Sequence, residues 1–313
     1  MTSPWITRAA LAVLAAAATL LSACGSGSTV QQLTPTRFMA VGDGSIDLGR
    51  SDGSRYTIND GSMLWSQQLA SHFGLQLTDS DAGGLSFARG NARVALPDPT
   101  GGGAPSVSEQ ITALLAKMNN TFASSDVVIL SAGITDVVAA VQETGISDAT
   151  TAAVRAAGTA LGEQAKRLSN AGVKHVVVSG VYNLGLSPWA RARGSKDAAA
   201  ITALSVAFND AMLLSLSDTR WGQTILAINP GLFYNLIANA NTNDRLFANV
   251  TDAVCASAHV TSCTNNTLIE GVTSTTVTKY MFADSIYLTP LANRIYGTSG
   301  YASNAYASFR DHW

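Results

Sequence analysis

The chain is poor in charge. Asp, Glu, Lys and Arg make up 13% of its 313 residues, and 19 basic against 21 acidic side chains leave a formal net charge of −2. A nucleic-acid partner needs a basic footprint, so none is expected. Histidine is scarcer still, at 4 residues, and cysteine numbers 3. Neither recurs at metal-ligand spacing, so no metal site is expected. Cofactor motifs are missing as well. Gly42 and Gly44 follow an apolar run as in a dinucleotide turn, but the third glycine position holds Asp47. There is no P-loop, no Gly-x-Ser-x-Gly elbow and no His-Glu-x-x-His. The chain carries no internal repeat. Long apolar runs are lacking too: AALAVLAAAATLL, at about thirteen residues, is short of the ~20 that span a bilayer.

That run follows Arg8 and ends at Leu21-Ser22-Ala23-Cys24. It has the length of a signal-peptide core. Leu-Ser-Ala-Cys resembles the bacterial lipobox, in which the cysteine is lipidated and becomes the new N-terminus; an ordinary secretory signal cut nearby is the alternative. Gly25-Ser26-Gly27-Ser28 reads as a flexible tether. The expected organisation is a lipoprotein signal over residues 1–24, a tether over 25–35 and one domain over 36–313. A lipid on Cys24 would hold the domain at a membrane without embedding it. The implied location is the cell envelope, with Gly25 compatible with outer-membrane sorting, or secretion. In an oxidising compartment Cys255 and Cys263, close in sequence, are expected to pair as a disulfide.

The rest alternates short apolar runs with helical periodicity, which predicts an α/β domain with a parallel sheet covered on both faces. Strands are expected at Phe38–Val41, Asp126–Leu130, Val173–Ser179 and Thr224–Ile228. Helices are expected near Leu64–Phe73, over Ser108–Phe122 with Ser108 as cap, over Thr151–Ala171 and Ile201–Leu216, and at Leu232–Ala238 and Leu291–Tyr296. His72 and His175 fall within such elements and read as structural.

Four blocks in order resemble the GDSL (SGNH) family of ester hydrolases. The first strand runs into Gly42-Asp43-Gly44-Ser45-Ile46-Asp47-Leu48-Gly49. Here Gly42, Asp43, Asp47 and Gly49 match the Gly-Asp-Ser-Leu-Ser-Asp-x-Gly pattern, Gly44 replaces the nucleophile, and Ser45 stands one place later. Phe87-Ala88-Arg89-Gly90-Asn91-Ala92 resembles the second block, in which Gly90 or Asn91 would take the oxyanion position. Gly133-Ile134-Thr135-Asp136 resembles the third, with Thr135 in place of the asparagine that donates to the oxyanion. In the last, Asp284 and Thr289 match but Tyr287 replaces the histidine. The resemblance implies a three-layer α/β/α fold of the SGNH (flavodoxin-like) type and needs no cofactor.

Ester cleavage by a serine requires a base in reach, a group orienting it, and oxyanion donors. Asp284 would be the orienting acid, but a tyrosine phenol titrates near ~10 and donates rather than accepts a proton at neutral pH. Three exchanges in register, Gly44, Thr135 and Tyr287, predict a retained fold with little or no ester turnover. The alternative is an esterase or lipase using Ser45 with an unplaced base; His259 or His312 would have to fold in from loops. The cleft, walled by Asp43, Ser45, Gly90, Thr135, Asp284 and Tyr287, is expected to suit an acyl-ester or acetylated-sugar ligand, on a monomer.

Overall fold

The computed structural model describes residues 32–49, 54–240, 246–257 and 259–313. Cys24, the signal segment and most of the tether lie outside them. Thr34–His312 forms one compact unit. Of the described residues, Gln32, Leu33 and Trp313 fall outside it, and the Leu33 N–H donates to the Trp313 carbonyl.

Four buried β-rich runs make the central sheet: β1 (Arg37–Gly42), β2 (Asp126–Ser131), β3 (His175–Ser179) and β4 (Ile225–Ile228). They pair in the order β1-β2-β3-β4, all parallel. Parallel neighbours need crossovers, and helices supply them. Between β1 and β2 lie α1 (Trp65–His72) and α2 (Val107–Lys117). Between β2 and β3 lie α3 (Ile134–Thr144) and α4 (Asp148–Asn170). Between β3 and β4 lie the short α5 (Pro188–Ala192) and α6 (Ser195–Ser215). The chain then forms α7 (Pro230–Ala238), a small parallel pair of β5 (Asn249–Ala253) and β6 (Tyr280–Phe282), and ends in α8 (Pro290–Gly297) and α9 (Ala305–His312).

The helices pack in two groups. One comprises α2, α3, α4 and α6; the other comprises α1, α8 and α9. Phe38 of β1 meets the second group through Phe73 and Phe309, at ring distances of 6.0 and 6.2 Å. The result is the α/β/α arrangement expected from the alternation of strands and helices.

Three local expectations are corrected. The cap of α2 is Ser106, not Ser108: Ser106 and Glu109 form a reciprocal capping box, and the helix stops at Lys117 rather than running to Phe122. Helix α3, which the periodicity did not flag, starts directly after Gly133. His312 ends helix α9 instead of lying in a loop.

Cys255 and Cys263 form a disulfide, as expected. It belongs to a small cluster with Ile58, Val254, Val260, Val277 and Ala283, against which Tyr56 and Tyr287 pack. The Asn59 N–H donates to the Cys263 carbonyl at 2.7 Å, which ties the segment after Tyr56 to the disulfide loop.

Candidate functional site

A cleft opens at the carboxyl ends of all four strands, where open parallel sheets place their ligands. After β1 comes Ser45, at the end of β2 Ser131 and then Ile134, at the end of β3 Ser179 and then Tyr182, and after β4 Pro230 and Tyr234. Tyr56, Trp65, Tyr287 and Tyr296 complete an aromatic wall. Its cavity volume is about 40 Å³, and it is open at the mouth, where about 460 Å³ of empty space includes solvent. A single water needs roughly 10–15 Å³ of such space, so the cleft has room for a group of about three heavy atoms.

The opening loop is organised by Asp43, which is fully buried. Its Oδ1 accepts from the Ser45 backbone N–H at 2.9 Å and the Ser45 hydroxyl at 2.7 Å; its Oδ2 accepts from the Ile134 N–H at 3.0 Å. Burial pushes the Asp43 carboxyl up, and these three bonds pull it back. Asp47 plays a similar part, accepting from Gly49 and, at 2.6 Å, from Gly90. Both aspartates are therefore loop organisers, and the Gly90 N–H is already committed. Residues 43–45 form a turn rather than an extended segment, so Ser45 faces the cleft beside Gly44. The Ser45 hydroxyl also lies 3.1 Å from that of Ser131.

Gly44 sits where the resemblance places the nucleophile. A Cβ added there would lie 2.7 Å from the Tyr287 hydroxyl and 2.9 Å from the Tyr56 ring. A Cβ on Gly90 would overlap the Tyr56 ring outright. The rings of Tyr56 and Tyr287 are 4.8 Å apart. Two tyrosines thus fill the space above the two glycines. Tyr56 also separates the cleft from a neighbouring pocket that holds Gly90 and Asn91, the latter in a left-handed conformation at φ 62°.

Several expected roles are not supported by the geometry. Asp284 accepts from the backbone N–H groups of Ile286 and Tyr287, so it closes a turn and orients no side chain. Burial pushes its carboxyl up against those bonds. Thr135 and Gly133 are not on the cleft wall: α3 begins at Ile134, which turns that side chain to the cleft and buries Thr135 in the first turn. Asp136 accepts from the Val94 N–H, and burial raises its carboxyl to about 7. Of the 4 histidines in the chain, none lines the cleft. His259 and His312 are exposed, His72 stacks on Tyr306, and His175 starts β3 at the opposite end of the strand.

Tyr287 lies on the cleft wall against Gly44. Its ring is partly exposed, but its hydroxyl end is buried against Gly44. That burial, with the nearby Asp43 carboxyl, pushes the phenol well above its ordinary value. It is a neutral hydroxyl, not a base.

Sequence reasoning missed most of the aromatic wall: Tyr56, Trp65, Tyr182, Tyr234 and Tyr296. Only Tyr182 carried a signal, three residues beyond a strand end. The Tyr182 hydroxyl donates to the Ile286 carbonyl and that of Tyr234 to the Ala292 carbonyl. Tyr296 differs. It is 2% exposed, and its hydroxyl makes no well-aligned hydrogen bond, having only a poorly oriented contact with the Ser179 hydroxyl on the cleft floor. Its ring is held by Trp65, Phe233 and Tyr234 at 5.2–5.3 Å.

No family model matches the chain, and no curated protein matches it. Among solved structures, an extracellular lipase from Streptomyces rimosus is similar at 15% identity and a TM-score of 0.46, over 89% of this chain and 100% of the lipase's.

Proposed function

We propose that this chain is an envelope protein of the GDSL (SGNH) ester-hydrolase lineage that has lost ester turnover. The carrying observation is steric as well as chemical. Gly44 stands at the nucleophile position, the Tyr287 hydroxyl occupies the space a serine side chain would need, and no histidine lines the cleft. In another serine hydrolase, loss of the histidine alone costs on the order of 10⁶ in turnover. The order of the four sequence blocks and their convergence at the sheet's carboxyl end support the lineage. The disulfide supports an oxidising compartment. A lipid on Cys24 would tether the domain to a membrane, outer-membrane placement being compatible with Gly25.

One observation favours a second reading, an esterase using Ser45. Its hydroxyl lines the cleft and donates to Asp43 at 2.7 Å, so a carboxylate takes the place of the base that the sequence left unassigned. Against it, that carboxylate already holds three hydrogen bonds, and a carboxylate is a weak base for an alcohol.

Hydrolysis of p-nitrophenyl acetate and butyrate by the purified domain, beside its Ser45→Ala and Asp43→Asn variants, decides between them. The expected result is background turnover that neither substitution changes. Turnover abolished by Ser45→Ala would overturn the proposal.

A further inference from the structure

The inner cleft has a composition that ester chemistry does not explain. Its walls are tyrosine and tryptophan rings, its floor carries the hydroxyls of Ser45, Ser131 and Ser179, and no basic side chain lines it. Behind Ser45 stands the buried carboxyl of Asp43, which has no ion-pair partner among the described residues. One buried hydroxyl on the wall, that of Tyr296, makes no well-aligned hydrogen bond, with only Ser179 in poor geometry beside it. A buried polar group left unpaired costs free energy in the empty protein. Aromatic walls attract cations through the ring quadrupole, more strongly when water is excluded. The polar atoms here are hydroxyl oxygens able to accept, set before a carboxyl group. The room suits a group of about three heavy atoms, such as C–C–NH₃⁺.

We propose that this cavity binds a small primary ammonium ion. The Tyr296 and Ser179 hydroxyls and the Ser131 hydroxyl accept its N–H groups, the aromatic rings enclose the charge, and Asp43 balances it through Ser45. No bond to the ligand is made or broken. The proposal rests on the reading that the cleft no longer turns over esters, but it is tested separately from it.

Ethylammonium chloride serves as the probe, with ethanol as the neutral control of similar size, and calorimetry and thermal shift as readouts. Ethylammonium is expected to bind at least tenfold more tightly than ethanol and to raise the Tm. In Tyr296→Phe, which removes only this poorly paired hydroxyl, the expected result is twofold in kind. The free protein gains a few degrees in Tm because a buried unsatisfied group is gone, and ethylammonium binding weakens about tenfold or more, as for a hydrogen bond to a charged group. A Tyr296→Phe variant that is less stable, or that binds ethylammonium as tightly as the parent, overturns the proposal. So does equal binding of ethanol, or no binding by the folded parent protein. Ester turnover that depends on Ser45 would overturn the lost-hydrolase reading without moving the amine titration, so the two failures are distinguishable.

Discussion

At position 44 the side chain is a hydrogen atom, and the room it leaves is taken by the Tyr287 hydroxyl and the Tyr56 ring. The exchanges at 44 and 287 are therefore one event in packing terms: a serine at 44 and a tyrosine at 287 exclude each other. Gly44→Ser should destabilise the fold by about 1–3 kcal/mol, the usual cost of overpacking. Gly44→Ser combined with Tyr287→His should recover most of that loss. A double-mutant cycle by urea denaturation should then return a coupling of about 0.5–3 kcal/mol between the two sites, whereas independent effects would add. The sequence showed each exchange as a missing catalytic group. It did not show that they fit together, because Tyr56, 12 residues beyond Gly44, packs on both glycines only in the folded chain.

Among the elements, the four strands and most helices were legible because their apolar periodicity is local. Helix α2 shows where that fails. Its start is set by the reciprocal capping box of Ser106 and Glu109, a pair whose spacing was in the sequence but lies ahead of the apolar periodicity that begins at Ile111. The segment from Cys255 to Cys263 has no strong periodicity, yet it buttresses the site through contacts of its cluster with Tyr56 and Tyr287. Replacing both cysteines by serine should lower the unfolding free energy by about 2–3 kcal/mol, as expected for a short closed loop. It should also weaken the near-ultraviolet circular dichroism of the tyrosines. A loss of stability with unchanged tyrosine signal would show that the loop does not hold the site.

For the whole molecule, several buried acids make stability depend on pH. Burial raises the carboxyls of Asp43, Asp47, Asp136 and Asp284, with Asp136 reaching about 7. An unfolded aspartate titrates near ~3.9, so between these values the folded state holds more protons than the unfolded one. The stabilising contribution of the protonated group is complete below about pH 4 and is lost as pH rises to about 7. The domain should therefore be more stable at about pH 5 than at about pH 8. Asp136→Asn keeps an acceptor for the Val94 N–H and removes the titration, so the difference should shrink by an amount on the order of a few kcal/mol. Calorimetric Tm values at the two pH values test it; an unchanged difference would assign the dependence to the other three acids.

By itself the sequence determined the alternating α/β order, the buried strands, the disulfide pair and the chemistry that is absent: no base where a histidine is expected, no hydroxyl at 44. Those properties follow from residue type and short-range spacing. Only the tertiary structure decided that Ser45 faces the cleft, that Thr135 does not, that Asp284 closes a turn, and that five tyrosines and a tryptophan, far apart in the chain, close around one small cavity. Such a wall has no period in sequence, because each ring is delivered by a different strand end, loop or helix and meets the others only when the sheet is formed.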